Sequence, residues 1–278
     1  MKHCHIMYVA NEILFLKQKI PFLYENFDQL VFYDLNIYAP YTGEAICYST
    51  DGSHEYIKDF PDPENKITLI ERKNLSGVPT NVGVGTDDKR RMSIVGSTYV
   101  RKDIDIVWET DADEFFPKGA IAEAEKIFAE NPTAMSIYLD WFTFVRDYGF
   151  VAYPPLFKNK YWDWRYMKRI ARHKPGNIYA HGDLVPGNAL SLKMERFKLF
   201  HFTAPTKERV LFKHLPPERK VRDGFWEAWD NFDASKIKDG EVYGYPYMHY
   251  SPELDVGIRR FKGEYPDYIN FDEMPRDD

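Results

Sequence analysis

Short apolar, strand-like runs alternate with stretches of helical periodicity from His5 to Leu139, and that alternation restricts the chain to an α/β architecture. His5 to Ala10 reads as a strand, and Ile13, Leu16, Ile20 and Leu23 then recur at helical spacing. Pro21 interrupts that pattern and predicts a helix that kinks or ends near Ile20. Gln29–Asp34 is the next strand, and Leu35 to Thr50 is irregular. Ile67 to Ile70 and Ile104 to Trp108 are further strands. Met92, Val95 and Tyr99 mark one helix face, Ala120 to Glu130 another helix, and Met135 to Leu139 alternates as a strand. Strands separated by helices predict a mixed, mostly parallel sheet flanked by helices. Beyond Trp141 the pattern weakens until Phe197 to Phe202, a late strand ending near His201. From about Pro216 the chain reads as helical and loop-like, which predicts a core over 1–215 and a C-terminal extension over 216–278 packed on it.

Charge narrows the function. Lys and Arg total 37 and Asp and Glu total 43, a net −6, which is not the footprint of a nucleic-acid binder. The two cysteines, Cys4 and Cys47, make neither a disulfide framework nor a zinc pattern. His3-Cys4-His5 is explained by a strand with Cys4, Ile6 and Tyr8 on one face. Met1 to His5 leads into no long apolar segment, and no run is long enough to span a bilayer. A cytoplasmic location is expected, with any membrane contact peripheral.

Two short motifs invite a phosphate or metal reading. Gly83-x-Gly85 begins like a dinucleotide fingerprint, but position 88 is Asp88 and no strand precedes it. Thr86, Asp87 and Asp88 are better helix N-caps. Asp111-Ala112-Asp113 is the stronger signal, because it follows an apolar strand. In extended chain, side chains two apart point to the same side, so both carboxylates are expected to face one crevice. Ligands of open α/β sheets bind outside the carboxyl ends of the strands. Mg²⁺ or Mn²⁺ suits such a site, since hard cations use one or two carboxylates plus substrate phosphates. The plainer alternative makes these acids solvated caps of the next helix.

The order of motifs resembles that of the family-two-like glycosyltransferases of the GT-A fold. Tyr8-Val9-Ala10-Asn11-Glu12 is similar to the end of their first strand, and Asp111-Ala112-Asp113-Glu114-Phe115 to their metal motif. Asp34 and, after an insertion, Ser49-Thr50-Asp51-Gly52-Ser53 resemble their divided second motif. The resemblance covers roughly residues 5 to 215. It implies a GT-A-like core, a nucleotide-diphosphate sugar as donor, and a carbohydrate or glycoconjugate acceptor. It places Ala10, Asn11, Glu12 and Asp34, with Asp51, on the nucleotide side. It makes Asp111 a ribose or water-mediated metal contact, Asp113 the direct ligand of Mn²⁺ or Mg²⁺, and His201 an additional ligand.

The same resemblance suggests an acidic general base in a later loop. His181-Gly182-Asp183 is the best local match, which would make the enzyme inverting, and Asp140 is the competing candidate. A turn aspartate beside Gly182 is the ordinary reading of Asp183. From Lys193 to Arg222 nine basic residues face three acids. They form either a solvated surface or a lid in which Lys207, Arg209 or Lys213 reaches the diphosphate. The rivals are a sugar-phosphate nucleotidyltransferase, for which the Gly-rich loop with a basic residue is lacking between Tyr8 and Phe15, and a carbohydrate-binding protein without catalysis, which has no need of paired carboxylates after a buried strand.

Overall fold

The computed structural model describes residues 1–34, 48–71, 96–153, 168–175, 177, 189–204, 206–213, 224–244, 257–274 and 276. Strand β1 (His3–Val9) leads into helix α1 (Ile13–Asn26) and strand β2 (Gln29–Asp34). Helix α2 (Ser53–Asp59), strand β3 (Ile67–Glu71) and strand β4 (Ile106–Asp111) follow. A two-residue strand β5 (Glu114–Phe115), helix α3 (Gly119–Glu130) and strands β6 (Ser136–Val145), β7 (Phe150–Tyr153), β8 (Lys168–Arg172) and β9 (Ser191–Ala204) come next. Helices α4 (Lys207–Lys213) and α5 (Phe225–Asp230), then strands β10 (Tyr243–Gly244) and β11 (Gly257–Arg260), complete the regular elements of the described residues, apart from two short 3₁₀ turns.

The strands form one mixed sheet in the order β10-β11-β7-β6-β8-β4-β1-β2-β3, with β9 on β6 and β5 on β9. Strands β3, β2, β1 and β4 are mutually parallel. Strand β8 runs antiparallel between β4 and β6, and β6 and β9 are parallel. The fold class is therefore the expected α/β arrangement, a mixed and mostly parallel sheet flanked by helices.

Alternation along β1 divides the core. Met7 and Val9 face the side covered by Leu16, Ile20 and Leu23 of α1 and Ala120, Ala124 and Phe128 of α3. Cys4, Ile6 and Tyr8 face the other side, against Val100 and Ile104. The His3-Cys4-His5 run is thus strand: His3 Nδ1 accepts from the Trp108 indole at 3.0 Å and His3 Nε2 lies 3.0 Å from Glu125 Oε1.

Of the two outcomes expected at Pro21, an end to the helix is corrected, because α1 runs on to Asn26. Proline in a helix interior costs about 3 kcal/mol, but it removes only one ladder bond. Phe22 and Leu23, immediately beyond it, are buried. Burial of a large apolar side chain contributes roughly 1.5–3 kcal/mol each, so tertiary packing outweighs the local penalty. Pro21 itself faces solvent.

The C-terminal segment closes on the same helix. Tyr268 stacks on Phe22, centroids 3.9 Å apart, and Asn270 exchanges two hydrogen bonds with the Gln18 side chain. Strand β11 extends the sheet by pairing with β7. No helix among the described residues is long and apolar enough to cross a membrane.

Candidate active site

After β1 the chain builds β2 and β3 on one side, then returns to place β4 on the other side of β1. The gap at the carboxyl ends of β1 and β4 is therefore the topological switch point, where open α/β sheets form their ligand crevice. Register brings the expected residues to that edge: Tyr8 is level with Asp111, and Val9 with Asp34. Ala10, Asn11, Glu12, Asp34 and Asp111 thus belong to one rim.

The turn after β1 is held from the neighbouring segment. Asn11 takes a left-handed conformation, φ 56°, which asparagine tolerates better than most residues. Its N–H donates to Ser49 Oγ at 3.0 Å and its Oδ1 accepts from Thr50 N–H at 2.8 Å. The N–H groups of Glu12 and Ile13 donate to Ser53 Oγ and Asp51 Oδ2, each at 2.9 Å. These are among the amides that open a helix without an internal partner. The Ser49-Thr50-Asp51-Gly52-Ser53 motif therefore caps α1 from a distance, and Gly52, at φ 93°, supplies the turn into α2.

Asp34 anchors the same segment. Its carboxylate is buried and accepts from Ser49 N–H at 2.8 Å and Ser49 Oγ at 2.6 Å. Its other oxygen lies 2.5 Å from His54 Nδ1, and His54 Nε2 is 3.4 Å from Glu71. In this arrangement Asp34 and Asp51 position the rim through the backbone.

The acidic motif departs from the extended geometry expected for it. Strand β4 ends at Asp111, and Ala112 and Asp113 form the turn into β5. Turn geometry, not a two-residue repeat, sets the direction of Asp113. Asp111 is half-buried and Asp113 buried. β5 pairs with β9 so that Glu114 is opposite His201, and this brings His201 Nε2 to 3.5 Å from Asp113 Oδ2. The ring of Trp141 meets His201 edge-on at 5.3 Å. Asp113 and His201 are thus brought together.

Three cations organise this turn, and sequence reasoning gave none of them that part. Lys19, buried in α1, donates to Thr110 Oγ1 and to the carbonyls of Asp111, both at 2.7 Å, and Glu114. Burial pulls its amine down to about 7, against the opposing pull of Glu114, Asp113 and Asp111. Thr110 Oγ1 is also 3.0 Å from His5 Nε2. Arg169 of β8 is buried against the Glu114 carboxylate, whose other oxygen accepts from Asp111 N–H at 3.0 Å. Arg209 of α4 grips Glu12 with both terminal nitrogens, and its Nη2 also donates to Asp113 Oδ2 at 2.8 Å. Burial works against the Arg209 charge, but Glu12 and Asp113 outweigh it and raise its pKa. A signal for Lys19 was present, since it stands four residues from both Phe15 and Leu23 on the apolar face of α1. The sequence reads Arg209 as surface or lid, and nothing local marks it as buried.

Asp140 lies within β6, where Lys193 and Lys198 reach its Oδ2 at 2.9 and 3.0 Å. Partial burial works the other way, but the two ammonium groups hold its carboxyl below the ordinary range. That setting makes it a weak base. Lys213 is the last residue of α4. Asp183, the Gly83–Asp88 loop and Tyr161 to Trp164 lie outside the described residues.

The donor set can be tested against a divalent cation. Among the described residues no three His, Cys, Asp or Glu side chains converge to enclose one. A hard cation that completes its shell with substrate phosphates needs only one or two carboxylates from the protein. Asp113 with His201, beside Asp111, meets that lesser requirement.

No protein-family model matches the chain, and no curated protein matches it. Among solved structures, S. aureus TarS 1–349 aligns over 86% of this chain and 76% of that one, at 12% identity and a TM-score of 0.45. A second S. aureus TarS structure aligns over 77% of this chain and 39% of that one, at 11% identity and a TM-score of 0.45. The 4-diphosphocytidyl-2C-methyl-D-erythritol synthase of Anaerococcus prevotii aligns over 91% and 94%, at 12% identity and a TM-score of 0.30.

Proposed function

We propose that this chain is a GT-A-like glycosyltransferase that moves a sugar from a nucleoside-diphosphate sugar to a hydroxyl of a carbohydrate or glycoconjugate acceptor. The observation that carries the reading is the meeting of Glu12, Asp113 and His201 at the switch point between β1 and β4, joined by Arg209. An open α/β sheet binds ligands there.

In this reading the Ala10–Glu12 turn and the segment braced by Asp34 and Asp51 receive the nucleotide. Asp113 and His201, with Asp111 alongside, hold Mn²⁺ or Mg²⁺. Such a cation would neutralise the charge that develops on the diphosphate leaving group. Lys19 and Arg169 keep the acidic turn in place, and Arg209 and Lys213 lie on the helix nearest the phosphates. Asp183 takes the proton from the acceptor hydroxyl as that oxygen bonds to the anomeric carbon. The bond from that carbon to the diphosphate oxygen breaks, with inversion.

The test is a thermal-shift series with UDP, GDP and CDP, each with and without Mn²⁺, followed by assay of nucleoside diphosphate release from the matching sugar donors. A ligand that binds only the native state raises its stability, so one nucleotide should act together with Mn²⁺. No nucleotide response across the series would reject the reading, and release of pyrophosphate from a nucleoside triphosphate would favour nucleotidyl transfer.

A further inference from the structure

Arg209 is placed unusually for a residue of a short surface helix. α4 has seven residues, and Leu211 on it is 51% exposed, yet the Arg209 side chain is buried, its guanidinium 4.8 Å from the ring centre of Phe15. Its fork is bidentate on Glu12, and the same Nη2 reaches Asp113 Oδ2 at 2.8 Å. A guanidinium does not deprotonate in proteins. One fixed positive charge therefore stands between the buried Asp113 carboxylate and the partly buried Glu12 carboxylate, on the same Asp113 oxygen that His201 approaches to 3.5 Å.

We infer that Arg209 is a built-in counter-ion for Glu12 and Asp113, and that a divalent cation gains Asp113 only as Arg209 gives it up. The inference rests on the cation reading under Proposed function. Two cations cannot share one carboxylate oxygen at contact distance in a weakly screened site without strong repulsion. Removing the guanidinium alone would leave the buried Asp113 and the partly buried Glu12 without their shared counter-charge, so the arrangement offsets one of the two negative charges and helps the site stay folded. Arg209 has two places to go when it leaves Asp113: it keeps Glu12, and phosphate oxygens are good bidentate acceptors for its fork. The donor diphosphate should therefore strengthen cation binding by receiving Arg209 as well as by ligating the cation. Arg209 is carried by α4, whose attachment includes the buried Val210, so the exchange should be felt in the protection of that helix.

The test is direct Mn²⁺ titration, read by electron paramagnetic resonance, on the parent protein and on Arg209→Gln, first with Mn²⁺ alone and then with UDP, GDP or CDP. Without nucleotide, Arg209→Gln should bind Mn²⁺ roughly tenfold or more tightly than the parent, since a fixed charge is removed beside the ligand. Adding Asp113→Asn to Arg209→Gln should erase the gain. Equal or weaker Mn²⁺ binding by a folded Arg209→Gln protein overturns the inference and leaves the proposed function standing. Absence of Mn²⁺ binding in every protein, with every nucleotide, overturns both. If Arg209→Gln does not fold, amide hydrogen exchange of the unmodified protein decides. Protection across α4 should change when Mn²⁺ and the effective nucleotide are added together, and unchanged protection overturns the inference.

Discussion

The Lys19 ammonium lies 2.7 Å from the main-chain carbonyl oxygen of Asp111, so a residue of the first helix holds the start of the acidic turn after the fourth strand. Its three donors meet Thr110, Asp111 and Glu114. Lys19→Met keeps an unbranched side chain, one atom shorter, and removes the donor that the Asp111 and Glu114 carbonyls share. Each buried group left without a partner costs about 1–3 kcal/mol, partly offset by the relief of a buried charge. Urea unfolding should show a net loss of about 2 kcal/mol or more. An unchanged midpoint at unchanged slope would mean that the turn does not depend on Lys19.

Asp113→Ala removes the carboxylate shared by Arg209 and His201. Arg209 keeps Glu12, so the protein should fold, with a stability loss of about 1–3 kcal/mol. Sugar transfer should fall by about a hundredfold or more, the scale seen when one preorganised electrostatic partner is lost. Donor binding should weaken in parallel. Full transfer by a folded variant would disprove the role of Asp113 at the cation.

Asp183→Asn should separate chemistry from binding. Donor affinity, measured by calorimetry, should match the parent, because the proposed donor site is the β1–β4 rim. Transfer should drop by about a hundredfold or more for loss of a positioned base. Asp140→Asn should cost far less, since Lys193 and Lys198 already claim that carboxylate. A parental rate in Asp183→Asn would show that the base lies elsewhere.

Acid stability should depend on Asp62. Burial disfavours its ionised form, but the amides of Ile67 and Lys66, the Tyr24 hydroxyl and the Lys66 charge outweigh it and lower its pKa from 3.8. A carboxyl depressed in the folded state releases its proton more readily there than in the unfolded chain. Its contribution is therefore present above pH 3.8 and is lost as pH falls through the lower folded value. Asp62→Asn should flatten the fall of melting temperature below pH 4. A slope equal to the parent's would exclude Asp62 as a source of acid sensitivity.

The early strands, α1 and α3 were legible because each obeys its own local period, and Asp34 and Asp111 fall at strand ends for the same reason. Parallel pairing then required those ends to share one edge. The sequence by itself determined an α/β sheet with its acids gathered at the carboxyl side. What it could not determine was how charges far apart in the chain are matched. The helix does not end at Pro21 because burial of Phe22 and Leu23 is a tertiary energy, invisible to a rule about one ladder bond. The direction of Asp113 depended on β5, a two-residue strand that exists only through its pairing with β9. Arg209 and Glu12 are 197 residues apart, and no local pattern encodes their contact. Only the tertiary structure decided that Lys19, Arg169 and Arg209 turn inward, because a buried charge is tolerated where folding has already assembled its partners.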